Sequence, residues 1–282
     1  MTTRRYSFIA VLAITLLASA QQGGAQEPPR RVVSINVCTD QLAMLIAGEG
    51  QIRSVSRLAA NPDTSTMFEE AKAYPANHGL AEEVFLMKPD LVLAGTFTAR
   101  TTVELLRRLG FRVEQFAPAN NFEAICTAIT RIGDLLGRQG RAAELLREFD
   151  EGVAELAASP RSDTVAVAYS SNSYTTGAGT LTNAVMNAAG LTNMAAEQGV
   201  VGGTRMPLEA LLAGHPDLVV TGTTSYDRPA LAQENFVHPA FRAFYDAGKV
   251  VTVPDSLWIC GAPFTLDAVR LLREAAQGTK AR

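Results

Sequence analysis

Glu82 stands seven residues before Pro89, and Glu209 stands seven before Pro216. The offset of 127 between the two prolines also aligns Asp90 with Asp217 and Gly95 with Gly222. A single acid in the first turn of a helix is ordinary, because the helix dipole favours a carboxylate there. Two such acids at one offset make a matched pair of charges, suited to gripping a basic partner at two points. No other spacing of reactive groups is as regular. There is no G-x-S-x-G, no H-E-x-x-H and no P-loop. Gly177-Ala178-Gly179 would open a dinucleotide fingerprint, but its third glycine falls at Thr182. His215 and His238 each precede proline, His78 is isolated, and no two histidines share metal-ligand spacing, so no metal site is expected. Cys38, Cys126 and Cys260 form no C-x-x-C.

These groups need elements to hold them. Glu82–Gly95 and Glu209–Gly222 each read as a helix stopped by proline, then a short buried strand, then glycine. A long-period repeat of this kind suggests two related lobes. Val32–Ile35 and Val165–Tyr169 read as first strands, each followed by a polar loop and a short helix that ends at Gly48 or Gly190. Thr39 or Asp40 offers a cap for the first of these helices, from about Gln41. Arg57–Gly79 and Thr192–Met206 read as long irregular stretches, the first longer than an ordinary connection. Between the halves, a helix of about twenty residues over 138–158 carries Leu145, Leu146, Phe149, Val153 and Leu156 as an apolar stripe. Strands alternate with helices throughout, which predicts parallel α/β lobes.

Loops leaving the carboxyl ends of parallel strands are where open α/β sheets bind ligands. Phe97, Tyr169, Tyr174 and Trp258 fall in such loops, with Asn36, Asn172, Ser173, Thr175 and Thr176. Together they suggest a pocket for a large, flat or aromatic-contacting ligand.

The chain has 282 residues, 47% hydrophobic and 19% charged, as in a globular protein. Arg4-Arg5, an apolar run from Phe8 to Ala18 and Ala18-Ser19-Ala20 give residues 1–20 the layout of a secretory signal peptide, with Ala25 a later alternative for cleavage. No cysteine follows either site, which argues against a lipid anchor. Without residues 1–20 the chain carries 23 basic and 28 acidic residues, a formal charge of −5. That balance argues against nucleic acid as a partner.

In combination the residues resemble a family: the substrate-binding proteins of ABC importers whose lobes are joined by one long helix. The likeness covers nearly the whole chain beyond the signal peptide. It rests on Arg31-Val32-Val33-Ser34-Ile35, the Glu…Lys-Pro-Asp-Leu-Val unit, the long helix, Tyr174-Thr175-Thr176-Gly177 and the second Glu…Pro-Asp-Leu-Val. The resemblance implies a monomeric periplasmic protein that is not an enzyme. It would capture a ferric siderophore, haem or cobalamin and deliver it to a permease in the inner membrane. Residues 30–137 and 163–282 would be the lobes and 138–159 the linking helix. The cleft between lobes would place Asn36, Cys38, Phe97, Tyr174, Thr176, Trp258 and Cys260 toward ligand. Glu82 and Glu209 match the family's docking acids.

Two departures stand out. The family's Pro and Thr-Glu after the first strand become Asn36-Val37-Cys38-Thr39-Asp40. Cobalamin binders resembling this chain carry an acid and an Arg in the loop that here reads Ser256–Ala262, where this chain has Asp255 and Cys260, so a ferric chelate is equally open. By the same resemblance Cys38 and Cys260 occupy cleft-edge loops, one on each lobe, and three readings stand open: a cross-cleft disulfide, contact with the ligand, or packing as small apolar groups or free thiols. Cys126, on a helical face, is expected to be buried. The alternative from another class is an exported α/β enzyme with Cys38 or Cys260 as nucleophile.

Overall fold

The computed structural model describes residues 27–223 and 231–280; the signal-peptide reading of residues 1–20 lies outside them. The first half runs β1 (Val32–Ser34), α1 (Val37–Ile46), β2 (Ile52–Ser56), β3 (Ala76–Asn77), α2 (Ala81–Met87), β4 (Leu91–Gly95), α3 (Arg100–Arg108), β5 (Val113–Phe116) and α4 (Phe122–Leu136). Helix α5 (Gln139–Ala157) follows. The second half runs β6 (Val165–Ala168), β7 (Tyr174–Thr176), α6 (Leu181–Ala188), β8 (Thr192–Asn193), α7 (Met194–Glu197), β9 (Gly203–Arg205) and α8 (Leu208–Ala213). It ends with β10 (Leu218–Thr221), α9 (Glu234–Val237), α10 (Pro239–Asp246), β11 (Val250–Thr252) and α11 (Thr265–Lys280).

The halves are two parallel α/β lobes of one plan. The first sheet has the order β3-β2-β1-β4-β5 and the second, read in the same sense, β8-β6-β10-β11. The 127-residue offset superposes β10 on β4, and register follows: Val32 pairs with Leu91 as Ala166 pairs with Leu218. Leu91, Val92, Leu93 and Ala94 are all fully buried. A parallel strand covered on both faces must read as an unbroken apolar run, and each of its Leu and Val side chains contributes about 1.5–3 kcal/mol by leaving water.

Each proline-aspartate junction has a mechanical reason. Proline disfavours the right-handed helical conformation in the residue before it. Lys88 and His215 leave it for left-handed backbone, a conformation that commonly ends helices, with φ of 48° and 47°. Each helix therefore ends ahead of its proline, α2 at Met87 and α8 at Ala213. The aspartate then ties its strand to the neighbouring one. Asp90 accepts the backbone N–H groups of Arg30 and Arg31, both at 2.9 Å, and Asp217 accepts that of Val165 at 2.9 Å.

Helix α5 has nineteen residues and is about 28 Å long. It is clasped from both sides at glycines. A Cβ on Gly133 of α4 would overlap Ala142, and one on Gly152 would meet Leu266 of α11 at 2.6 Å. One apolar core consequently runs from Leu91 and Leu93 through Leu145 and Phe149 to Ala166 and Val220.

Several expectations are corrected. Helix α1 begins at Val37, not near Gln41, because Asn36 is its cap: the carboxamide oxygen accepts from the N–H groups of Cys38 and Thr39. Asp40, expected as a cap, lies inside the helix and is buried. The stretch 57–79 contains two short 3-10 turns and β3. The stretch 192–206 contains β8, α7 and β9, and β9 pairs antiparallel with β7 in a two-stranded ribbon that alternation did not reveal. These segments are two to four residues long, too short to show a period.

Candidate functional site

In each lobe the chain crosses over in opposite senses from the two central strands, β1 and β4 or β6 and β10. That switch point opens a crevice at the strands' carboxyl ends. The loops leaving those ends meet across the two lobes. Cys38, in the first turn of α1, is bonded to Cys260 of the loop after β11, with Cα atoms 5.1 Å apart and a sequence separation of 222. The Thr66 hydroxyl donates to the Ser256 carbonyl at 3.0 Å. Gly261 lies against Ala119 and Ile125, close enough that a Cβ there would overlap both. The segment 255–261 thus closes one end of the space between lobes.

The disulfide decides among the three readings of Cys38 and Cys260. Both thiols are consumed, so neither supplies a thiolate to a ligand or a nucleophile to a reaction. Cys260 is also buried, which removes it from a ligand-facing role. The exported cysteine enzyme loses its nucleophile with that bond. Cys126 is half-buried, not buried, because it lies beside rather than on the Ile125–Ile129–Ile132 stripe of α4. Burial and the nearby Asp150 carboxylate push its thiol pKa up.

The other rim residues divide. Phe97 is 86% exposed in the loop after β4, and Tyr174 is 47% exposed on the ribbon, opposite Arg205. These are large apolar faces left uncovered at the mouth of the cleft. Ile259, on the bridging loop, is exposed too and was not anticipated; nor was Arg205, because β9 was not. Trp258 is half-buried and packs on the core. Thr176 sits two ladder steps further along the ribbon, opposite Gly203, its hydroxyl buried without a partner, while its carbonyl accepts from Asn193 at 3.0 Å. Asn36 is committed to capping α1, and its amide nitrogen presses on Gly95, where a Cβ would meet it at 2.7 Å. Tyr169, expected in the loop group, is fully buried and stacks on Phe241 with ring centroids 5.6 Å apart.

Beneath the first lobe's rim lies a buried polar cluster. Ser56 donates to Asp40, Asn77 donates to the Ser34 carbonyl and the Ser54 hydroxyl, and Gln41 accepts the N–H of Thr66. Burial raises the Asp40 pKa to about 7, against the pull of hydrogen bonds from Ser34 and Ser56. The cluster holds the 57–66 stretch that reaches Ser256.

Glu82 and Glu209 occupy equivalent places in the first turns of α2 and α8, and both are exposed. The neighbouring Glu83 is engaged: it accepts the His78 N–H at 2.7 Å and meets the His78 ring at 2.8 Å, which lowers its pKa. Glu82 and Glu209 have no ion-pair partner among the described residues. No group of three or more His, Cys, Asp or Glu is placed to hold a metal among them, and no helix there is long and apolar enough to cross a membrane.

Comparison with known proteins agrees with this architecture. A cobalamin-binding protein of Halobacterium salinarum is 29% identical over 234 residues, covering 80% of this chain and 63% of that protein, so the chain spans under two thirds of the relative's length. An uncharacterised ABC transporter substrate-binding lipoprotein of Bacillus subtilis is 23% identical over 215 residues, 72% of this chain and 67% of that one. The solved structure of the periplasmic haem-binding protein BhuT, in complex with two haems, superposes with a TM-score of 0.72 at 21% identity, covering 88% of this chain and 98% of that one. The family model described as periplasmic binding protein matches residues 32–256, most of the chain, and the chain belongs to that family.

Proposed function

We propose that this protein captures a metal chelate in the cleft between its lobes and delivers it to the permease of an ABC importer. The observation that carries this reading is the pairing of two lobes of one register, each presenting an exposed first-turn glutamate, around loops that expose Phe97 and Tyr174. A flat macrocycle or a hydroxamate or catecholate chelate has apolar faces for those rings to cover. The ligand brings its own metal, so the protein needs no metal site and no cofactor. The class is ferric siderophore, haem or corrinoid. The cobalamin-binding relative makes a corrinoid the first to test, and the haem-binding neighbour makes haem the second. The role is non-enzymatic, played by a monomer exported to the periplasm through the segment 1–20.

Glu82 and Glu209 would each meet an arginine of the permease. A bidentate carboxylate–guanidinium pair is a strong, oriented hydrogen bond, and two such pairs fix one placement of the protein on its partner.

Titration with cyanocobalamin, haemin and a ferric hydroxamate, followed by absorbance and by tryptophan fluorescence, tests the capture step. One of the three should saturate at one ligand per chain. Saturation by none would overturn the reading. Trp258 is the only tryptophan, so the signal reports on the bridging loop.

A further inference from the structure

A cavity of about 370 Å³ lies behind the cleft, where the last turn of α5 meets α6 and α11. None of the cleft-rim residues lines it. Its walls are apolar: Phe122 from the first lobe, Val153 and Leu156 from the connecting helix, Ala184 and Ala188 from α6. Two arginines, Arg161 and Arg273, also line it, and no acid among the described residues does. Asn187 and Ser159 are its other polar side chains.

Arg273 is held in place by the fold. Its Nη2 donates to the Leu156 carbonyl at 2.6 Å and the Ala188 carbonyl at 2.9 Å, at the carboxyl ends of α5 and α6. A cation at a helix carboxyl end satisfies orphan carbonyls. Those contacts occupy only one of its three nitrogens. Nε is buried without a partner, and Nη1 has none among the described residues. Among the described residues no carboxylate pairs with the guanidinium, although a half-buried charge is stabilised by pairing. Arg161 enters from the turn before β6, whose shape is fixed by Gly190: that glycine has φ of 82°, and a Cβ there would meet the Arg161 Cα at 3.1 Å.

We propose that this cavity binds a small carboxylate bearing an apolar tail. Its carboxylate would lie on Nη1 of Arg273 and on Arg161, and its tail between Phe122 and helices α5 and α6. The charge selects an anion, and the apolar walls select one with a hydrocarbon body. Because the walls come from both lobes and the helix between them, the occupant sits where the three meet, without touching the cleft ligand. This inference is independent of the chelate reading.

Octanoate is the probe, titrated by calorimetry into the full chain with the cleft empty, alongside octanol and octylammonium. The expected result is saturable binding of one octanoate per chain, at least tenfold weaker in Arg161→Gln and abolished in Ala184→Phe. Octanol and octylammonium should not saturate. Arg161→Gln changes an exposed side chain, so it keeps the test valid if Ala184→Phe fails to fold. Absence of octanoate saturation would overturn the proposal. So would equal affinity in Arg161→Gln or equal binding of octylammonium.

Discussion

The two lobes share a frame and differ at the rim. Strand order, register, left-handed Lys88 and His215, and the aspartate ties at Asp90 and Asp217 recur at one offset. The rims are built from different materials. The first lobe inserts residues 57–79 and anchors them from below with the polar cluster around Asp40. The second carries the β7–β9 ribbon over the aromatic cluster of Tyr169, Phe236 and Phe241. The repeated parts hold the lobes in shape and present the paired glutamates. The unlike parts face the cleft, where an asymmetric ligand would meet two different surfaces.

The comparison can be broken first at its covalent join. Opening the disulfide in Cys38→Ser/Cys260→Ser frees a 222-residue separation, and loop-closure entropy puts the cost near 5 kcal/mol. The thermal transition should move down and stay single, because the core is continuous through α5. Two resolved transitions in calorimetry would show that the bond alone couples the lobes.

The second test separates the rims. A carboxyl with its folded pKa raised to about 7 keeps a proton that the unfolded chain gives up near pH 4. The native state therefore binds more protons between those values, and stability falls as pH rises through that window. Asp40→Asn should gain up to about 4 kcal/mol over the native protein at pH 8 and almost nothing at pH 4. Urea denaturation at both pH values measures it, and an equal effect at both would contradict the buried-acid account.

The third test compares the ties. Asp90 accepts two backbone N–H groups and Asp217 one. Asp90→Ala should cost about 2 kcal/mol and Asp217→Ala about 1, the net worth of a typical hydrogen bond for each one lost, because both carboxylates are exposed. The smallest effect is expected at the left-handed residues. Lys88→Gly and His215→Gly should each raise stability by less than about 1 kcal/mol, and by similar amounts, since glycine adopts that backbone without strain. A gain in one lobe alone would limit the repeat to sequence.

The sequence showed the frame because the frame is periodic or apolar. Leu91–Ala94 and Leu218–Val220 are unbroken buried runs, and Leu145 to Leu156 is a clear helical stripe. It also marked Glu82 and Glu209, which depend only on spacing. The rim was harder to read. Strand β9 is three residues with a glycine, and Arg205 gained a place in the site only when that strand was seen to pair with Tyr174. The disulfide joins residues too distant for any local pattern, so the sequence leaves three readings open, and the Cα separation of 5.1 Å selects one. Asn36 showed its amide but not its task, because capping and ligand contact call for the same side chain.

The central claim is that one exposed glutamate on each lobe hands the loaded protein to a permease. Its most direct test is uptake of radiolabelled or fluorescent chelate into proteoliposomes carrying the cognate importer, with Glu82→Ala, Glu209→Ala and the double variant. Ligand affinity is measured on the same preparations. Uptake should fall in each single variant and further in the double one, with ligand affinity unchanged and the protein–permease complex weakened by salt. Uptake at the native rate in both single variants, or loss of ligand affinity in either, would contradict the account.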